Sequence, residues 1–359
     1  MLKLLYITTN LNTSGGVARV LAVKLNYLVQ NYAYDIFIIN TNGNTDELFF
    51  KFDERIYIES LNQDDSKLKR VLGYHNKLNK RIKKINPDII INCDNGLKGA
   101  LLPFIYSGNV PLVFESHSSL NASDSSVLGG FKLKIKNLFF SKSVKKYNKI
   151  VVYQHLSNAW KTKNIRVIHN PLGFKIPEQS TLFNNKVVIA VGRISYQKGY
   201  GNLLDIWALV FKTHPDWKLH IYGEGDKRKL LSRIRELGLS ESILFFEPVL
   251  NIRDVYLKAS ILVNTSKFEP FGLALIEAMA CGLPVIAFEN TLGPKSYIIN
   301  NENGFLIEKD NNNDYANQII DLIDDKIEMK RVGGNVKESM KAYQVEDIME
   351  IWHQLFQSV

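Results

Sequence analysis

The stretch Val263-Asn264-Thr265-Ser266-Lys267-Phe268-Glu269-Pro270-Phe271-Gly272-Leu273-Ala274-Leu275-Ile276-Glu277-Ala278-Met279-Ala280-Cys281-Gly282-Leu283-Pro284-Val285-Ile286-Ala287 decides the fold. Apolar Ile261 to Val263 predicts a buried strand that runs into a polar loop. Leu273 to Ala280 are good helix formers, stopped by Cys281-Gly282, and a second apolar run begins at Val285. This is a βαβ unit, which requires parallel strands. Glu269 falls in the loop and Glu277 in the second helical turn, so both carboxylates are available at the strand's carboxyl end, where open α/β sheets bind ligands. The helix start adds backbone N–H groups suited to a phosphate. Two acidic residues at this spacing also fit an ordinary solvated helix face.

The blocks Glu269-Pro270-Phe271-Gly272-Leu273, Ile276-Glu277-Ala278-Met279-Ala280 and Gly282-Leu283-Pro284-Val285-Ile286 together resemble the E-x7-E segment of retaining glycosyltransferases of family 4, which have the two-domain GT-B fold. The resemblance implies that Glu277 binds the ribose hydroxyls of a nucleotide sugar and that Glu269 lies beside the transferred sugar. It places the amides of Phe271, Gly272 and Leu273 near the diphosphate.

Outward from this segment the chain keeps the same alternation. Leu4 to Thr8 predicts a first strand, followed by a loop ending in Gly15-Gly16 and a helix from Val17 to about Gln30, with Val17, Val20, Leu21, Leu25 and Leu28 at helical spacing. A glycine pair at such a turn admits a bound anion or simply makes a tight turn. It resembles the family's N-terminal Gly-Gly loop, which implies contact with donor phosphate and acceptor. Further strands are expected at Ile36 to Asn40, Ile56 to Glu59, Asp88 to Asn92, Pro111 to Glu115 and Lys149 to Val152, with a basic helix at Lys67 to Lys84. The strand ending at Glu115 delivers Ser116-His117-Ser118, and the resemblance puts His117 beside the donor sugar.

Val167-Ile168-His169-Asn170-Pro171 resembles the family's linker into a second domain, whose sheet starts at Val187 to Val191. Gly192-Arg193 to Lys198-Gly199 follows, and cations at a strand end neutralise a diphosphate without a metal. The pattern resembles the family's diphosphate clamp, formed here by Arg193 and Lys198. By the same resemblance the nucleobase lodges near Gly223 and Val249, and the Tyr343 to Phe356 helix crosses back to the first domain.

The expected architecture is α/β: two Rossmann-like, doubly wound parallel-sheet domains facing across a cleft. Residues 1–172 with the helix 343–359 form the acceptor-binding domain, and 173–342 the nucleotide-sugar domain. A chain of 359 residues with 45% apolar content suits two such cores. Of its 45 Lys/Arg and 36 Asp/Glu, residues 1–175 hold 25 and 12, a balance of +13, which leaves −4 for the remainder. This asymmetry points the first half at an anionic partner. No nucleic-acid motif accompanies it, so an anionic membrane surface is the expected partner. The segment Phe131 to Tyr147 reads as an interfacial amphipathic helix, with Phe131, Ile135, Leu138 and Phe139 on one side, or as an ordinary core-facing helix with a basic outer face.

Cys93 and Cys281 stand apart and without metal-ligand spacing, and no Asp-x-Asp triplet occurs. No metal and no cofactor are expected beyond the donor substrate. With no apolar run long enough for a signal core or a span, a cytoplasmic protein, peripheral on the inner face of the membrane, is expected. The implied activity is hexosyl transfer from a nucleoside diphosphate sugar, most simply a UDP-sugar, to a glycan or polyprenyl-linked acceptor. A non-catalytic nucleotide-sugar-binding subunit and a nucleotide-sugar epimerase of the same fold are the alternatives.

Overall fold

In the computed structural model, residues 1–61, 67–117, 137–153, 160, 162–289 and 292–359 are described. They group into two units, Met1–Pro171 with Val345–Val359, and Leu172–Gln344.

The first unit is built on a seven-stranded sheet, ordered β3-β2-β1-β4-β5-β6-β7. Its strands are β1 (Leu2–Thr8), β2 (Tyr34–Asn40), β3 (Tyr57–Ser60), β4 (Ile89–Asn92), β5 (Leu112–Glu115), β6 (Lys149–Val152) and β7 (Ile165–Val167). All pairings are parallel. The sequences Ile89-Ile90-Ile91-Asn92 and Leu112-Val113-Phe114-Glu115 are buried at every position, the pattern of central parallel strands covered on both faces. The first helix, Gly16–Asn31, buries Leu21, Leu25 and Leu28 against the sheet. Full burial of side chains of this size contributes about 1.5–3 kcal/mol each.

The C-terminal helix, Val345–Gln357, belongs to this same unit: Ile348, Met349, Trp352, Leu355 and Phe356 join its core. Tyr32 stacks on His353 at 4.3 Å, and Tyr34 Oη lies 2.7 Å from His353 Nδ1, so the helix is also held by polar contacts.

Residues 137–143 are helical, and their inward face is not the one that a core-facing reading of Leu138 and Phe139 gives. Phe140, Val144 and Tyr147 are buried, whereas Leu138 is 57% exposed. The reason is aromatic packing: the Phe140 ring lies 5.2 Å from Phe114 and 5.8 Å from Trp160, which turns Leu138 outward. The earlier part of the segment, residues 131–136, lies outside the described residues. Lys142, Lys145 and Lys146 are exposed.

The second unit carries a six-stranded parallel sheet ordered β10-β9-β8-β11-β12-β13. Its strands are β8 (Val187–Val191), β9 (Lys218–Tyr222), β10 (Ile243–Phe246), β11 (Ile261–Asn264), β12 (Val285–Phe288) and β13 (Phe305–Ile307). Trp207, Tyr256 and Tyr315 are its largest fully buried side chains. Each has a partner for its polar tip. Tyr315 Oη, for instance, donates to Ile286 O at 2.6 Å and accepts from Asn264 N–H at 3.0 Å, tying β12 to β11.

In both sheets the strand order reverses beside the first strand, between β1 and β4 and between β8 and β11. Such switch points leave a crevice beyond the carboxyl ends of the strands. Arg193 and Lys198 follow β8 and Glu269 follows β11, on either side of the second sheet's switch point.

Candidate active site

In the second unit two loops meet. The loop after β8 carries Arg193 and ends in the short turn Tyr196–Lys198, capped by Gly199 at φ 67°. A Cβ on Gly199 would stand 2.1 Å from Thr265 O, so only glycine lets this turn lie against the loop after β11. Thr265 Oγ1 donates to Lys198 O at 3.1 Å, and Lys267 N–H to Gln197 O at 2.8 Å. With the loops joined, Lys198 Nζ lies 2.6 Å from Glu269 Oε2. Gly192, at φ 150°, makes room for that lysine, since a Cβ there would fall 2.7 Å from Lys198 Cε.

The Glu269 carboxylate also accepts from Ser266 Oγ at 3.1 Å and from Asn264 Nδ2 at 3.5 Å, with its side chain 9% exposed. It is a fixed, hydrogen-bonded anion. Arg193 is exposed on the same loop. Gly272, at φ 87°, starts the Leu273–Ala280 helix, whose first N–H groups lack intrahelical partners as in any helix. Tyr297 Oη donates to Phe271 O at 2.7 Å, and Gly293 N–H to Glu269 O at 3.1 Å, so the loop is braced from behind.

Glu277 is buried, and its carboxylate accepts from Tyr256 Oη at 3.2 Å. Gly223 packs so tightly on the Gly192 carbonyl that a Cβ would lie 2.0 Å from that oxygen. Val249 is half-buried beyond β10. The structure therefore brings Lys198 and Glu269 into direct contact, and Arg193 and Gly223 onto adjoining loops. Tyr256, Ser266 and Tyr297 are partners that sequence reasoning did not single out. A tyrosine on a core helix carries no pattern that marks it.

In the first unit, Gly15 precedes the first helix with φ −74°, an extended conformation open to any residue, and its N–H donates to Thr13 Oγ1 at 3.2 Å. Gly16 is the helix's first residue. His117 stands beyond β5 with a side chain only 4% exposed. Its N–H donates to Asn95 Oδ1 at 3.1 Å, its Nδ1 lies 3.5 Å from Tyr153 Oη, and its Nε2 lies 3.6 Å from Glu115 Oε1. Burial pushes the imidazole below its usual 6.5; Glu115 pulls it up and Lys24 pushes it down, leaving it neutral near pH 7. Burial raises the Glu115 carboxyl, but Lys24, His117 and the Cys93 thiol outweigh that and hold it below the ordinary carboxylate range. Glu115, His117, His169, Asn170 and Trp352 line one small polar cavity.

Cys93, Glu115 and His117 offer ligand-type atoms within 4.8 Å of one another. The Lys24 ammonium already rests against that carboxylate, so the protein's own chain supplies the cation there. Sequence reasoning missed Lys24: its place on the Val20, Leu21, Leu25 and Leu28 stripe turns it to the core, but the carboxylate that receives it lies far along the chain.

Residues 174–339 match the family described as glycosyl transferases group 1. The chain carries a glycosyl transferases group 1 domain. Over nearly the full length of both chains it is similar to the amylovoran biosynthesis glycosyltransferase AmsD of Erwinia amylovora, at 28% identity over 99% of each. It is also similar to the GalNAc-alpha-(1->4)-GalNAc-alpha-(1->3)-diNAcBac-PP-undecaprenol alpha-1,4-N-acetyl-D-galactosaminyltransferase of Campylobacter jejuni, at 25% identity over 100% of this chain and 99% of that one. Among solved structures, Anabaena HepE in complex with UDP and glucose superposes with a TM-score of 0.81 at 19% identity, covering both chains completely. That likeness shows the GT-B fold, with two parallel-sheet Rossmann-like domains. The group 1 domain coincides with the second unit, and its switch point holds the Lys198–Glu269 pair.

Proposed function

We propose that this group 1 glycosyltransferase is a retaining, metal-independent hexosyltransferase of family 4. It moves a hexosyl unit from a UDP-sugar to a glycan or lipid-linked glycan acceptor in cell-surface polysaccharide biosynthesis. The observation that carries the reading is the Lys198–Glu269 contact at the β8/β11 switch point, a cation and an anion held together at 2.6 Å where such sheets bind ligands. Relatives named for polysaccharide and undecaprenol-linked glycan synthesis support the acceptor class.

The transfer breaks the bond from the sugar's anomeric carbon to the diphosphate, whose oxygen leaves with the electron pair. Arg193, Lys198 and the amides of Phe271, Gly272 and Leu273 stabilise that growing negative charge electrostatically. No divalent ion is then required, because positive side chains and helix amides fill its role. Glu269 and His117 serve the sugar, whose ring gains positive character as the bond opens. Glu277, its carboxylate held by the Tyr256 hydroxyl, binds the ribose hydroxyls, and the base lodges near Gly223 and Val249. Acceptor binding falls to the first unit, with contact from the Gly15-Gly16 loop, and an anionic membrane surface presents the lipid-linked acceptor to its exposed Lys142, Lys145 and Lys146.

A thermal-shift panel of nucleotide sugars tests this reading. A UDP-sugar should raise the melting temperature of the wild type and, at equal concentration, do so much less in Glu277→Ala. A panel in which no nucleotide sugar stabilises the protein would refute it.

A further inference from the structure

The first unit buries a charged pair that the transfer step does not itself use. Lys24 is completely buried in the first helix among Val20, Leu21, Leu25 and Leu28. Its ammonium lies against Glu115 at the end of β5, 3.9 Å from the centre of the Trp352 ring and 4.9 Å from that of Tyr6. The pair thus gathers β1, β5, the first helix and the C-terminal helix at one point. Replacing a buried ion pair by apolar residues of the same volume is often neutral or stabilising, because desolvating two charges offsets most of their attraction. Stability alone does not explain the pair.

What the pair does is visible in the carboxylate. Oε2 is engaged by Lys24 and by the Cys93 thiol at 3.4 Å, which leaves Oε1 turned toward His117 Nε2. That nitrogen is buried and has no hydrogen-bond partner among the described residues. On the other side of the ring, Nδ1 faces Tyr153 Oη, which accepts from Asn170 Nδ2 at 2.9 Å.

We propose that Lys24 and Glu115 are positioning residues for His117: Lys24 pins the carboxylate so that Oε1 and the Tyr153 hydroxyl bracket the imidazole and fix its orientation and charge. Only the purpose of His117 rests on the proposed function; the bracket itself does not. Facing the ring are Glu115 from β5, Lys24 from the first helix, Cys93 after β4, Tyr153 after β6 and His169 after β7, while the C-terminal helix contributes uncharged Trp352. Of these, Glu115 favours the protonated ring most and Lys24 opposes it. Removing the two charges therefore moves the histidine in opposite directions.

The test is a ring-nitrogen NMR titration of the full-length protein, with the His117 signal assigned by its loss in His117→Gln. In Lys24→Met the His117 midpoint should rise by about one pH unit or more, a tenfold change in proton affinity. It should fall in Glu115→Gln and in the uncharged double variant Lys24→Met/Glu115→Gln. The double variant also guards against a single variant that fails to fold around an unpaired charge. In it kcat should drop about tenfold or more, with donor KM unchanged. Midpoints identical to wild type in the folded variants would overturn the proposal. Shifted midpoints together with full turnover in His117→Gln would support the bracket and remove His117 from the transfer step.

Discussion

Replacing Lys198 by methionine keeps the aliphatic stem that covers Gly192 and removes the charge 2.6 Å from Glu269. Two effects follow, and they differ in size and in assay. The first is on stability. Breaking a buried pair by removing one partner costs about 3–5 kcal/mol when the remaining charge has no other support. Here Glu269 keeps Ser266 and Asn264, and Lys198 is 20% exposed, so the loss should be nearer 2 kcal/mol. For a unit of this size that corresponds to a fall in melting temperature of about 4–8 °C. The second is on chemistry. A preorganised charge aimed at a leaving diphosphate is worth roughly 10²-fold in turnover, about 2.7 kcal/mol of transition-state stabilisation. The assay is donor consumption at saturating UDP-sugar and acceptor, read as kcat, alongside a melting curve of the same preparation. A folded Lys198→Met with kcat within threefold of wild type would refute the role given to this lysine.

Gly199→Ala forces φ 67° on a residue with a Cβ and drives that carbon into Thr265 O, so unfolding free energy should fall by about 3 kcal/mol with turnover falling too; an unchanged urea midpoint would show that the loops do not need this contact. Acidification should destabilise the protein in two steps. His117, His169 and His220 sit below 6.5 through burial, and Glu115 below its usual value, so each binds protons less readily folded than unfolded. Their contribution is full above the unfolded values and is lost as pH falls, the histidine part from about pH 6.5 and the Glu115 part from about pH 4.5. Asp94, raised by burial, works in the opposite direction, and a urea midpoint that rises from about pH 7.5 to 5 would contradict the sign. Exposed Lys142, Lys145 and Lys146 changed to glutamate should weaken sedimentation with anionic vesicles by about 10²-fold at low salt, at about 1 kcal/mol per lysine; equal sedimentation would remove the membrane surface as a partner.

Much of the fold was legible because its signals are local. Ile89 to Asn92 and Leu112 to Glu115 are short apolar runs ending in a polar residue, which is how a central parallel strand reads, and Gly-Leu-Pro at 282–284 marks a helix stop. Lys198 and Glu269 were individually legible from the motifs around them, but their mutual contact was not, since it depends on two loops meeting through Gly199. The outward turn of Leu138 was hidden for a similar reason: helical spacing gives a stripe but not which rotation of it fits beside Phe114 and Trp160. Lys24 shows the limit of reading charge as surface. Its burial needs a carboxylate from a strand ninety-one residues away and a ring from the C-terminal helix, and no local pattern contains both.

A site at the β8/β11 switch point that needs no metal must transfer a sugar from a nucleotide donor in the presence of a chelator. The most direct measurement incubates the purified full-length protein in EDTA with a panel of UDP-sugars and undecaprenyl-diphosphate-linked glycans, and reads the anomeric configuration of any product by proton NMR. One UDP-sugar should yield an α-linked product in wild type, with the rate reduced about 10²-fold in Glu269→Gln. A β-linked product, or transfer that is absent in EDTA and restored by manganese, would contradict the account.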